Sequence, residues 1–147
     1  MTDDDGHPAI LVSDRQSMPV DVDVLIELAR ATLRGEGLDR VELSVSFVEP
    51  GEIEELHVRF MGEPGPTDVL SFPLDLDDVD EEGMRMLGDV VIAPSVAAAN
   101  NPGEPEAELR LLLVHGILHL LGYDHEEDAE KAQMWARQER YSGVSAP

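Results

Sequence analysis

The chain has 147 residues, 42% of them hydrophobic, which is enough for one domain with a buried core; it has no cysteine, which excludes disulfides and every thiolate metal site. Ten basic residues face 32 acidic ones, a formal net charge of −22, and only Lys131 among the basic residues is a lysine. Without a basic run, generic affinity for nucleic acid or an anionic membrane through clustered positive charge is excluded; the acidity fits solubility, a salty cytoplasm or a cationic partner.

Residues 1–8 read as a disordered acidic lead, and Met1-Thr2-Asp3-Asp4-Asp5 lacks the apolar stretch of a secretory signal. Ala9-Ile10-Leu11-Val12 predicts a short strand. From Val20 to Arg34, apolar Val24, Leu25, Leu28, Ala29 and Leu33 follow helical spacing, with Asp21 or Asp23 as cap and Gly35 as stop. Val41, Leu43, Val45 and Phe47 alternate with Glu42, Ser44 and Ser46, the pattern of a half-buried strand. A short helix follows from Glu52 to Met61, with Ile53, Leu56 and Phe60 expected inward. Gly62 to Pro66 is a loop by composition, and Val69 to Phe72 a strand ended by Pro73.

Leu74 to Gly83 is rich in acid and reads as a solvated loop. Leu87 to Ala93 predicts the fourth strand, with Gly88-Asp89 near its start. Ser95 is positioned to cap a short alanine-rich helix that fails at Asn100-Asn101-Pro102-Gly103. A long apolar helix is expected from Pro105, which suits a first helical position, to Leu121, where Gly122 ends it. Its run from Leu111 to Leu121 is too short to span a bilayer, so the expected location is the cytoplasm. A last helix, Glu126 to Tyr141, carries Ala132, Trp135 and Ala136, and residues 142–147 read as a loose tail. Helices interleaved with four short strands predict an α/β protein of the α+β type. It has one domain over 9–141, with a small mixed four-stranded sheet and about five helices.

The chemistry lies at the end of the long helix, in His115-Gly116-Ile117-Leu118-His119-Leu120-Leu121-Gly122-Tyr123-Asp124-His125. Positions i and i+4 share a helix face, so His115 and His119 point two imidazoles at one ion. Gly122 turns the chain, and His125 returns as a third ligand. Three imidazoles leave a coordination position open, as in catalytic rather than structural zinc sites, so one Zn2+ per chain is expected. The other two histidines, His7 and His57, carry no such pattern. The segment matches the metzincin protease pattern H-E-x-x-H-x-x-G-x-x-H at every histidine and at the glycine. It departs at Gly116, where the protease has the glutamate that serves as general base.

The same segment resembles the signature of the bacterial YbeY family. Arg59, then Pro66-Thr67-Asp68-Val69-Leu70-Ser71-Phe72-Pro73, is similar to a second block of that family, and Gly88-Asp89-Val90-Val91-Ile92 to a third. The resemblance covers residues 9 to 141. His57 stands where asparagine is expected, three residues after Glu54, and the helix after Ser95 is unusually short. The resemblance implies a metal-dependent endoribonuclease of single-stranded RNA, acting in late 3′-end maturation of small-subunit ribosomal RNA. Its partners would be ribosomal RNA and the small subunit, with no membrane or DNA partner. It further implies Arg59 as the cation for developing phosphate charge. Asp68 and Asp89 would either orient ligands or close turns at strand starts. A non-catalytic, metal-stabilised ribosome assembly factor and a metzincin-like metalloprotease are the alternatives.

Overall fold

The computed structural model describes residues 8–62, 67–74, 79, 83–123 and 127–144. In chain order the elements are β1 (Ala9–Arg15), α1 (Val22–Gly35), β2 (Val41–Val48), α2 (Pro50–Met61), β3 (Val69–Pro73), β4 (Arg85–Ile92), α3 (Pro94–Asn100), α4 (Pro105–Leu120) and α5 (Asp128–Ser142). The strands form one mixed sheet in the order β1-β2-β4-β3. β1 and β4 flank β2 in parallel, and β3 runs antiparallel to β4 at the edge. The expected α/β class, the four strands and the five helices are all present among the described residues.

The alternation in β2 sets the sandwich. Val41, Leu43, Val45 and Phe47 are buried against Leu25, Ala29 and Leu33 of α1 and Leu113, Ile117 and Leu120 of α4. A bulge sits where Glu42 pairs with Met86 but Leu43 pairs with Gly88, leaving Leu87 as the extra residue. The bulge brings Leu87 onto the same face as Val90 and Ile92. Gly88 has φ +135 and its missing Cβ would collide with the carbonyl oxygen of Phe72, so only glycine fits there. On the opposite face, Val48, Leu70 and Val91 pack with Ile53 of α2.

From Leu111 on, α4 carries only apolar residues besides its histidines, and none of them is exposed. Leu109, Leu113 and Ile117 meet the sheet core, while Val114 and Leu118 pack on Met134 of α5. Pro105 occupies the first turn as expected.

Several local expectations are corrected. α1 runs through Gly35, which packs against the Tyr141 ring, and Gly37 takes the positive φ just beyond the end; Asp21 is the cap. Phe60 is not inward: it is 59% exposed and touches only the edge of the sheet through Phe72, at a ring separation of 5.4 Å. Ser95 does not cap α3, since Ala93 is the residue preceding the helix and the Ser95 hydroxyl is buried without a hydrogen-bond partner. β4 begins at Arg85, so Asp89 lies inside the strand and closes no turn. α5 buries Met134, Gln138 and Ser142, whereas Ala132 and Ala136 face outward. The helix extends to Ser142, while 145–147 lie outside the described residues. At the other end Pro8 is already packed, its carbonyl accepting from Arg30 Nε at 3.1 Å, and 1–7 lie outside the described residues. Of the acidic stretch from Leu74 to Gly83, only Leu74, Val79 and Gly83 are described.

Candidate functional site

α4 delivers the first two histidines from inside the fold. His115 and His119 lie one turn apart, both half-buried, with ring centroids 4.5 Å apart and planes crossing at 80°. The helix closes just beyond them with Leu121 as its last half-turn. Tyr123 N–H donates to Leu118 O (3.0 Å) and Gly122 N–H to His119 O (3.1 Å). Gly122, at φ +99, supplies the left-handed residue that this paired closure requires. The chain therefore reverses at the point the glycine marked. His125, the expected third ligand, lies outside the described residues, as do Asp124 and Glu126. Among the described residues no group of three or more potential ligands converges.

Gln138 orients His115. Its Nδ1 lies 2.5 Å from Oε1 of Gln138, a residue only 4% exposed on α5. An amide oxygen only accepts, so Nδ1 carries the proton and the lone pair is left on Nε2. This is the arrangement in which an outer partner orients a metal-binding imidazole, and imidazole nitrogen suits zinc and its neighbours in the first transition row. The donor chemistry of this pair fits a divalent cation. Ser71 Oγ donates to the carbonyl of Gly116 at 2.9 Å, tying the helix to the edge strand beside the rings.

Two cavities meet at His115. One, of about 350 Å3, is lined by Met61, Leu70, Ser71, Pro73 and both histidines. The other, of about 380 Å3, lies toward α5 and is lined by Asp68, Leu111, His115, Lys131, Trp135 and Gln138. Trp135 stands edge-on to His115 with centroids 6.1 Å apart, and Lys131 Nζ lies over the Trp135 ring at 5.6 Å.

The remaining sequence candidates are placed differently. Arg59 is in the last turn of α2, with its side chain 64% exposed, and pairs with Glu55 at 3.3 Å. It borders a separate surface hollow with Gly51, Glu54 and Val58, while its neighbour Met61 reaches the histidine cavity. Asp68 lines the second cavity and accepts from Asn100 Nδ2 at 3.1 Å. Asp89 lines a hollow with Arg15, Ser46 and Phe72 on the face turned away from α4. His57 lies half-buried on α2, and His7 is outside the described residues. Sequence reasoning missed Gln138, Ser71 and Lys131. For Gln138 the available signal was its spacing of four from Met134, which put it on the buried stripe of α5.

Residues 12–143 match the family described as endoribonuclease YbeY. The chain is 42% identical to the endoribonuclease YbeY of Streptomyces coelicolor, with 88% of this chain and 86% of that protein covered. It is 45% identical to that of Rhodococcus opacus, covering 88% and 78%. For Salinispora tropica the figures are 42% identity over 90% and 92%. A solution structure from Thermotoga maritima superposes with a TM-score of 0.58 at 32% identity, covering 90% of this chain and 86% of that one.

Proposed function

The chain belongs to the YbeY endoribonuclease family, and we propose that it hydrolyses phosphodiester bonds of single-stranded RNA at a cation held by His115, His119 and His125. The cation is zinc, one per chain. The substrate is small-subunit ribosomal RNA in late maturation, on the subunit and in the cytoplasm. Among the described residues no helix is long and apolar enough to cross a membrane.

The observation that carries the reading is the His115–Gln138 contact: a buried amide oxygen engages Nδ1, which leaves Nε2 as the nitrogen that bears the lone pair, one helical turn from a second imidazole. When bound there, a divalent cation supplies Lewis acidity toward a phosphoryl oxygen and acidifies water. The protein's own groups do the rest. The cavity walls of Met61, Leu70 and Pro73 restrict solvent on one side of the rings. Arg59 supplies positive charge to the phosphate by leaving Glu55. That exposed pair holds it by only about 0–1 kcal/mol, so its release is cheap. A charge-assisted contact to developing phosphate charge is worth about 2–4 kcal/mol, or roughly a hundredfold in rate.

The test is cleavage of a single-stranded RNA by purified protein with and without chelator, alongside elemental analysis. His119→Ala should lose both metal and cleavage, because two nitrogens are too few for a stable site. Arg59→Ala should keep metal and melting temperature but lose about a hundredfold in rate, with Arg59→Lys restoring only part. A His119→Ala protein retaining a full equivalent of metal would refute the three-histidine site. An Arg59→Ala protein as active as the wild type would refute the phosphate role.

A further inference from the structure

We infer that the cavity between His115 and α5 is a subsite for one nucleobase, a purine, next to the phosphate at the histidine pair, with Trp135 as its stacking platform. The inference rests on the RNA-cleaving reading above and assigns the binding of a flanking base. Three observations carry it. First, the cavity shares His115 with the proposed cation site, so a ligand filling it lies one residue's width from the reacting phosphate. Second, its wall holds a half-buried Trp135, pinned edge-on to His115 at 6.1 Å, so the ring is fixed before any ligand arrives. A preset aromatic plane is what unstacked bases of single-stranded nucleic acid bind.

Third, the polar groups are placed for a nucleotide rather than for a purely apolar ligand. Lys131, the sole lysine, lies over the Trp135 ring at 5.6 Å and is otherwise exposed. Its flexible stem lets the ammonium move from the ring face to a phosphate, vacating the face for a base. Across the cavity Asp68 uses one carboxylate oxygen to accept from Asn100, and a carboxylate retains further acceptor sites for an exocyclic amine. A purine offers both the larger ring for Trp135 and an amine for Asp68, whereas uracil lacks the amine.

Trp135 is the only tryptophan in the chain, so its emission reports on this cavity alone. The probes are a 2′-O-methyl oligoadenylate, the matching oligouridylate, and the same backbone carrying abasic positions. Saturable quenching by oligoadenylate is expected, with abasic backbone binding roughly tenfold more weakly. In cleavage assays, Trp135→Leu, which keeps apolar bulk, should raise KM on an adenosine-flanked RNA about tenfold with a smaller effect on kcat. It should leave an RNA abasic at that position unaffected. Trp135→Phe should restore part of the KM. Emission that responds equally to oligoadenylate and to abasic backbone would overturn the subsite, as would a KM unchanged in Trp135→Leu. Quenching without any cleavage by the wild type would overturn the RNA-cleaving reading and still support the base pocket.

Discussion

A Cβ on residue 116 would lie 2.7 Å from Val90 Cγ1 and 3.2 Å from Ser71 Oγ, so α4 packs tightly on the sheet at the glycine between the two histidines. The position faces the core, so a glutamate there would have no room, let alone a route to a bound ion. Gly116→Ala weighs two terms. Alanine returns about 1 kcal/mol of helix propensity, while overpacking a core costs about 1–3 kcal/mol. We expect a net loss of about 1 kcal/mol in urea unfolding; a variant more stable than the wild type would show that α4 shifts freely. The same geometry predicts no peptidase activity. Chelator-sensitive cleavage of casein, abolished by His115→Ala, would contradict it.

Between elements, one carboxylate gathers three segments. Glu36, just past α1, accepts from the Tyr123 hydroxyl at 2.5 Å and from the Tyr141 hydroxyl, and pairs with Arg137 at 3.4 Å. Tyr123 belongs to the turn that leads toward His125, and Arg137 and Tyr141 to α5, so this clamp braces the turn against two helices. The Arg137 guanidinium also lies over the Tyr123 ring at 4.9 Å. Burial pushes the Glu36 carboxyl upward, but the two phenols and Arg137 outweigh it and hold the carboxyl below its usual value. Burial first, and the Glu36 contact next, push the Tyr141 phenol up to about 12. A carboxyl depressed in the folded state stabilises the fold above its unfolded pKa, and that contribution is lost as pH falls through the folded value. Glu36→Gln should therefore cost about 1.5–3 kcal/mol at neutral pH. The difference from wild type should shrink as the solution is acidified below the ordinary carboxyl range. Thermal melts across pH decide this; a difference constant down to the acid limit would mean that the Glu36 charge contributes nothing.

At the scale of the whole molecule, the net charge of −22 dominates. The described ion pairs join arginines to acids largely at the surface, as in Arg15–Glu52 and Arg110–Glu106, and such pairs offset little of the excess. Self-repulsion of this size destabilises the compact state and is screened by salt. The melting temperature should rise between about 0.05 M and about 0.5 M sodium chloride, where the screening length falls well below the width of the domain. A fall would mean that favourable pairs outweigh the repulsion. The excess also sharpens the importance of the few cations near the histidine cavities, Lys131 beside one and Arg59 on the neighbouring helix end.

The sequence by itself determined the fold class, the order of elements and the position of the histidine pair, because each rests on a local period. Alternation made β2, helical spacing made α1 and α4, and the interval of four set His115 over His119. Gly122 was readable for the same reason: a turn's handedness is a property of one residue. What only the tertiary structure decided are matters of who lies opposite. Gln138 orients His115 from a helix 23 positions further along the chain. Leu87 shares the core face with Val90 and Ile92 because a bulge shifts the register of β4 against β2. Phe60 stays exposed although Ile53 on the same helix is buried against the sheet, and Ser95 is the second residue of α3, two past its cap at Ala93. None of these follows from a period, since a residue's spacing gives its face but the partner on that face comes from another part of the chain.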